Sequence, residues 1–302
     1  MNHDSTVDER PLGCHLSIGR GLPAAIEEAE DLGCTALQLF THNPSQWWMK
    51  PIVEDRAKAF VERRRASAVR YVVAHTMYLL NLASPDDALY SRSVDALVDE
   101  VHRAASLGVD AVVTHLGAHV GSGTDRGIAR IVDAIDRVSA QAGEAGTPRL
   151  LLENTAGAGT TIGGSFEELA AILSRVRSGE RIGVCFDTAH AFAAGYDLRT
   201  KDAVDATLAA FDSAVGIEQL ALIHLNDSKY ALGSRRDRHA HIGWGEIGRE
   251  GLGALVRHRR LRRVPVILET PKEIDGRDDA DRMNLAAVRS LARGVESEEE
   301  ER

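Results

Sequence analysis

Six short apolar runs in this chain each end on a side chain that can bind a metal ion. YVVAH ends on His75, AVVTH on His115, RLLLE on Glu153, GVCFD on Asp187, LALIH on His224 and VPVILE on Glu269. Successive intervals are 40, 38, 34, 37 and 45 residues, close to the length of one strand plus one helix. Consecutive βα units would then deliver one ligand each to the same end of a sheet. An open doubly wound sheet draws its site from a few strands beside a switch point, so six such strand ends suit a closed barrel better. Strand-like runs at 12–16, 35–40, 71–76, 111–116, 149–154, 182–187, 220–225 and 264–269 alternate with helix-like segments. The latter fall at 21–32, 54–69, 86–107, 125–144, 165–178, 200–214, 247–259 and 278–293. The expectation is an α/β chain forming a single (β/α)8 TIM barrel over 12–293, with the metal site at the C-terminal end of its strands. A flexible N-terminal segment at 1–11 and an acidic tail at 294–302 would flank it.

Composition narrows the function classes. The net charge of -9 argues against a general nucleic-acid coat protein, yet three divalent ions among four carboxylates would leave about +2 in one pocket. No apolar run approaches the roughly 20 residues needed to span a bilayer, and MNHDSTVDERP has no secretory pattern. Cys14, Cys34 and Cys185 form neither a C-x-x-C pair nor a disulfide framework, which fits a reducing cytoplasm. GWGEIG (243–248) follows the charged RRDRHAH rather than an apolar strand, so it reads as a turn into the next helix and not as a dinucleotide fingerprint. The arginine-rich runs at Glu62–Arg65 and Arg257–Arg263 read as solvated helix faces.

A lone histidine at a strand end is more often a hydrogen-bonded structural residue than a ligand. Glu153 and Glu269 differ, because a carboxylate after a run of apolar residues would be buried and needs a cation; an Arg or Lys and a metal ion are equal alternatives for either one. Two doublets then join the strand-end set, Asp187 with His190 and Asp237 with His239. Nine donors (five imidazoles and four carboxylates) exceed what one ion can use. They point to a polynuclear zinc-type site of the kind that handles phosphate esters.

DTAHAFAAGYDLRT (187–200), HLNDSK (224–229), GSRRDRHAHIGWGEIG (233–248) and LLENTAGAG (151–159) resemble the signature segments of the endonuclease IV family. Its members are zinc-dependent apurinic/apyrimidinic endonucleases, also called deoxyribonuclease IV, on a (β/α)8 barrel. The likeness runs from about residue 12 to about residue 293. It implies a DNA-repair hydrolase of base excision repair that cuts the phosphodiester 5′ to an abasic site, leaving a 3′-hydroxyl and a 5′-deoxyribose phosphate, and that also trims 3′ blocking groups. It implies three Zn²⁺ per chain, with Mn²⁺ able to stand at some positions. His75, His115 and a bridging Glu153 would hold the first ion; Glu153, Asp187, His224 and Glu269 the second; His190, Asp237 and His239 the third. A zinc-held hydroxide would attack phosphorus, with Glu153 and Glu269 as the catalytic carboxylates and His15 nearby without being a ligand. The partner would be duplex DNA carrying abasic or 3′-blocked sites, with no membrane and a monomer as the default.

Tyr78 and Leu79 match the family's inserting loop, while Leu80 and Leu82 read as packing residues. Asn43, Gln46 and Trp47 match a second DNA-facing loop, and Arg235, Arg236 and Arg238 flank the third-ion ligands and would face phosphates. Two positions depart from the family pattern: Ser45 stands in NPSQW where a basic residue is common, and Leu116 follows His115 where proline is more frequent. The rival from the same barrel is a metal-dependent sugar isomerase or epimerase, which would use Glu153, Asp187, His224 and Glu269 but not the other five ligands. A silent damage-binding protein would lack a ligand, and none is missing.

Overall fold

The structure, a computed structural model, describes residues 10–47, 50–143, 146–177, 181–274, 276–277 and 279–294. The expected N-terminal segment and acidic tail fall mainly outside these residues. The described chain joins the barrel two residues earlier than expected: Arg10 is buried and the Pro11 carbonyl accepts from Val266 N.

Eight strands form the barrel: β1 (Leu12–His15), β2 (Ala36–Leu39), β3 (Tyr71–His75), β4 (Ala111–Thr114), β5 (Arg149–Glu153), β6 (Ile182–Asp187), β7 (Leu220–His224) and β10 (Val266–Leu268). All run parallel and close in the order β1-β10-β7-β6-β5-β4-β3-β2. A short antiparallel pair, β8 (Asp227–Ser228) and β9 (His239–Ala240), stands on the rim. Eight helices occupy the expected segments: α1 (Leu22–Asp31), α2 (Glu54–Arg65), α3 (Asp87–Ser106), α4 (Thr124–Gln141), α5 (Phe166–Leu173), α7 (Lys201–Ala214), α8 (Gly248–Arg257) and α9 (Ala280–Arg293). A further short helix, α6 (Thr188–Ala194), follows β6 directly. Its sequence, TAHAFAA, is too short for periodicity to reveal it. Asp187 caps it, accepting from His190 N at 2.7 Å, and Gly195 ends it at φ 115, a conformation that glycine adopts without strain.

Side chains of a strand alternate between its two faces, and that alternation builds two cores. Val72, Ala74, Val112, Leu150, Leu152, Val184, Phe186 and Ile223 face outward against the helices. Ala36, Val73, Ala111, Val113, Leu151, Cys185, Leu222 and Ile267 fill the barrel interior. The next inward position on each strand is two residues further on. Those positions are Gln38, His75, His115, Glu153, Asp187, His224 and Glu269, with His15 on β1. The polar site is thus one layer stacked on the apolar plug. At Gly13, the corresponding inner position of β1, a Cβ would lie 1.8 Å from the Ala36 carbonyl oxygen, so only glycine fits there.

Candidate metal centre

All nine expected ligands reach the mouth of the barrel. The donor atoms of eight of them fall into three groups, each lying within 4.8 Å: His75, His115 and Glu153; Glu153, Asp187, His224 and Glu269; and Asp187, His190 and His239. Glu153 joins the first two groups, as the bridging role requires. Asp187 joins the second and third, a link the sequence reading assigned to the second alone. Asp237 lies against the third group, with Oδ2 3.2 Å from His190 Nε2 and Oδ1 3.5 Å from His239 Nε2.

Each buried imidazole has one ring nitrogen committed to an oxygen that can only accept. His75 Nδ1–H donates to the Thr76 carbonyl (2.8 Å), His190 Nδ1–H to the Asn154 carbonyl (3.0 Å) and His239 Nδ1–H to the Glu269 carbonyl (2.9 Å). Gln38 does the same for His224. Its amide nitrogen donates to Glu269 Oε1 (2.5 Å), so its oxygen accepts from His224 Nε2–H (2.8 Å). The other nitrogen of each ring then points its lone pair at carboxylate oxygens: His75 Nε2 at Glu153 (3.1 Å), His224 Nδ1 at Glu153 and Glu269 (3.1 Å each), and His190 Nε2 at Asp237. Two acceptors facing each other at such distances need a cation between them. His239 Nε2 is the plainest case, being buried without a hydrogen-bond partner and facing Asp187 and Asp237. A fixed far nitrogen with the near one presented is the outer-shell pattern of metal-binding histidines.

A proton on the ring is the smallest cation that meets this need, and the electrostatics show the same pull for positive charge between ring and carboxylate. Burial would raise the Glu153 carboxyl, but the charges of His115 and His224 and hydrogen bonds from His190 and His224 hold it well below the usual range. Glu269, half-buried, is raised by desolvation but held well below the usual range chiefly by the charge of His224. Burial opposes charge on His190, yet Asp187, Asp237 and Glu153 hold its pKa well above the ordinary value. Asp237, desolvated in part, is pulled down to about 2 by its hydrogen bond to His190 and the charges of His190 and His239. Burial lowers both His115 and His15, the latter to about 3. Glu153, Glu269 and Asp237 are therefore held ionised, and their partners are imidazoles; among the described residues the Arg or Lys alternative for Glu153 and Glu269 is not what the fold supplies.

Three positioning residues escaped the sequence reading. Gln38 bridges Glu269 and His224, as above. Asn226 Nδ2 donates to Asp187 Oδ2 (2.6 Å) while its Oδ1 accepts from Glu269 N. Asn154 Oδ1 accepts from Asp187 N (2.7 Å). Gln38 and Asn154 were visible as polar residues at or just beyond strand ends; Gln38 even shares the inward phase of the ligands. Asp227 holds the GWGEIG turn, its carboxylate accepting from the backbone N–H groups of Gly243, Gly245 and Ile247.

The expected DNA-facing residues lie around the rim. Tyr78 is 64% exposed and Leu79 37%, with the Tyr78 ring edge-on to Phe40 at 5.3 Å; Leu80 and Leu82 are buried, as packing residues. Asn43, Ser45 and Gln46 are exposed. Trp47 is half-buried against the core, with the Arg92 guanidinium 4.3 Å over its ring. Arg235 Nη1 donates to the Gly157 carbonyl, Arg236 stacks on Tyr230 and Arg238 donates to the Asp237 carbonyl; all three are exposed.

A closed barrel with a linked histidine–carboxylate layer at its mouth defines the class, and residues 26–291 match the family model described as xylose isomerase-like TIM barrel. Proteins bearing the name "Probable endonuclease 4" are similar over nearly their whole length. The one from Chloroflexus aggregans is 46% identical over 281 residues, 93% of this chain and 97% of the relative. That from Methanoculleus marisnigri is 46% identical over 281 residues, 93% and 98% of the two chains. The crystal structure of endonuclease IV from Thermus thermophilus superposes with a TM-score of 0.83 at 38% identity, covering 94% of this chain and all of that one. A D-allulose 3-epimerase from Methylomonas sp. shares the fold alone, at 17% identity and a TM-score of 0.69. The chain belongs to the endonuclease IV family.

Proposed function

We propose that this protein is a metal-dependent hydrolase that incises DNA on the 5′ side of abasic sites, leaving a 3′-hydroxyl and a 5′-deoxyribose phosphate. The observation that carries the reading is the layer of imidazole nitrogens and carboxylate oxygens brought together in three linked groups. The donor set of nitrogen and carboxylate oxygen fits zinc. His75, His115 and Glu153 would hold one ion, Glu153, Asp187, His224 and Glu269 a second, and His190, Asp237 and His239 a third. Bound there, zinc ions supply Lewis acidity toward phosphate oxygens and lower the pKa of water towards neutrality.

The chain's own residues do the positioning. Glu153 ties two donor groups into one rigid unit. Gln38 fixes both Glu269 and the tautomer of His224, and Asn226 fixes Asp187, so three strands are locked in register at the reacting phosphate. Glu269 lines the cleft of about 260 Å³ at the mouth and would orient the attacking oxygen. Tyr78 and Leu79 would enter the duplex as an apolar wedge, with Asn43, Gln46 and Trp47 approaching from the neighbouring loop. An abasic sugar, which has no base to unstack, is the residue least costly to flip into that cleft. Arg235, Arg236 and Arg238 would meet phosphates. A 3′ phosphate-ester block presents the same group to the same layer, which supports its removal as a second activity of a monomer acting on duplex DNA in the cytoplasm.

The test is incision of a duplex with one abasic site by protein of measured metal content. Cleavage 5′ to the lesion with a 3′-hydroxyl end, abolished by chelation and restored by zinc, is expected. Fully loaded protein that leaves the strand intact contradicts the proposal.

A further inference from the structure

The opposite end of the barrel carries a second charged site, unrelated to the mouth. A cleft of about 300 Å³ lies between the starts of β1 and β10 and the C-terminal ends of α8 and α9. Six arginines line it: Arg10, Arg257, Arg259, Arg262, Arg289 and Arg293. Among the described residues no carboxylate lines it, and none of the six takes part in an ion pair. The run from Arg257 to Arg263, expected as a solvated helix face, is solvent-exposed at its arginines and contributes three of these cations to one concave surface.

Capping accounts for only part of this. Arg10 Nη1 donates to the Val256 carbonyl (2.8 Å), Arg257 Nη1 to the Leu291 carbonyl and Arg289 Nη2 to the carbonyls of Leu32 and Gly33. Three helix C-termini contribute about -0.5 each, and Asp205 and Glu250 share a neighbouring cleft with Arg257 and Arg259, so the six cations are compensated only in part. Arg10 is the critical member. It is only 7% exposed, its Nη2 is buried without a hydrogen-bond partner, and burial lowers its pKa to about 10, as expected for a cation lacking a counter-ion. A buried unpaired guanidinium is costly unless something anionic supplies the partner. Planar guanidinium forks match phosphate oxygens bidentately, and several of them converging call for several phosphate groups. One wall, Leu12, Val256, Val266 and Val288, is apolar.

We propose that this cleft binds an anion built on a chain of two or three phosphate groups, either an organic di- or triphosphate or an inorganic polyphosphate.

Titration calorimetry of the metal-loaded full chain at low salt, with inorganic tripolyphosphate and separately with adenosine diphosphate, tests it. Binding at the metal mouth would be common to all variants, so the comparison is with R259A/R262A, two exposed positions whose loss the fold tolerates. At least one probe is expected to bind the wild type in a salt-dependent manner and the double variant about tenfold or more weakly, with abasic-site incision unchanged. Tighter binding of adenosine diphosphate identifies an organic ligand seated on the apolar wall; binding of tripolyphosphate alone identifies an inorganic one. The proposal is overturned if neither probe binds the wild type, or if the wild type and R259A/R262A bind both equally.

Discussion

Two parts of the mouth differ sharply in how they are held. Glu153, Asp187 and His224 are fully buried, stand at the ends of three adjacent strands, and are tied together by Gln38, Asn226 and Asn154. Asp237 sits on the loop between β8 and β9 with its side chain 54% exposed, and His190 and His239 are its side-chain partners among the described residues. Strand ends are placed by the closed hydrogen-bonded barrel, so their geometry exists before any ion arrives. A loop carboxylate gains much of its order from what it binds. The difference predicts a graded response to substitution across a single site.

The largest effect should come from E153Q. It removes a buried charge shared by two donor groups and leaves several imidazoles facing an amide. Breaking such a buried set costs about 3–5 kcal/mol of stability, and with a ligand shared by two groups gone, incision should fall by about two orders of magnitude or more, a loss of about 3 kcal/mol in transition-state stabilisation. Metal analysis should show the loss of two ions. D237N should cost less, about 10- to 100-fold, with one ion lost and two retained. An equal loss of all three ions in both variants would break the contrast between strand-held and loop-held ligands.

Q38A sharpens it from another side. Gln38 is not expected to touch the substrate, yet it holds Glu269 and sets the His224 tautomer. Its removal should weaken metal retention about tenfold, visible as a lower chelator concentration for half inactivation, and Q38E should not restore it because a carboxylate repels Glu269. Unchanged chelator sensitivity in Q38A would show that the barrel alone positions these ligands.

The smallest effect on incision is expected from E100Q, which lies in a buried polar pair beneath the β2 loop. Glu100 accepts from Thr41 Oγ1 (2.9 Å) and lies 3.8 Å from His42 Nε2. Burial raises its pKa to about 7 from 4.5 and lowers that of His42 to about 4 from 6.5. An acid whose folded pKa is raised binds more protons folded than unfolded. Glu100 therefore favours the fold at low pH, and that contribution fades as pH rises from about 4.5 through about 7. His42 works in the opposite sense, its contribution fading as pH falls from about 6.5 through about 4. E100Q should thus gain up to about 3 kcal/mol over the wild type at pH 8 relative to pH 5, measured by denaturant unfolding at the two values. A gap that does not change with pH would contradict the raised Glu100 pKa.

The same distinction decides what could be read from the sequence. The strand-end ligands were legible because period-two alternation places every second residue inward, and a polar residue closing an apolar run is conspicuous. The eight strands and eight of the helices followed from that alternation and from helical spacing. The seven-residue α6 was not legible, because its start depends on Asp187, a candidate ligand, acting also as its cap. The β8–β9 pair was hidden too: two-residue strands carry no pattern, although the extended Asp237–His239 doublet anticipated their effect. Gln38 was overlooked because an amide is no metal ligand, though its phase was right. The arginine cleft could not be seen at all, since Arg10 and Arg257 meet only through barrel closure.

Anomalous scattering at the zinc edge from crystals of the zinc-loaded protein would test the central claim most directly. Three peaks are expected: one within His75, His115 and Glu153, one within Glu153, Asp187, His224 and Glu269, and one within His190, Asp237 and His239. A single peak confined to Glu153, Asp187, His224 and Glu269 would contradict a three-ion centre.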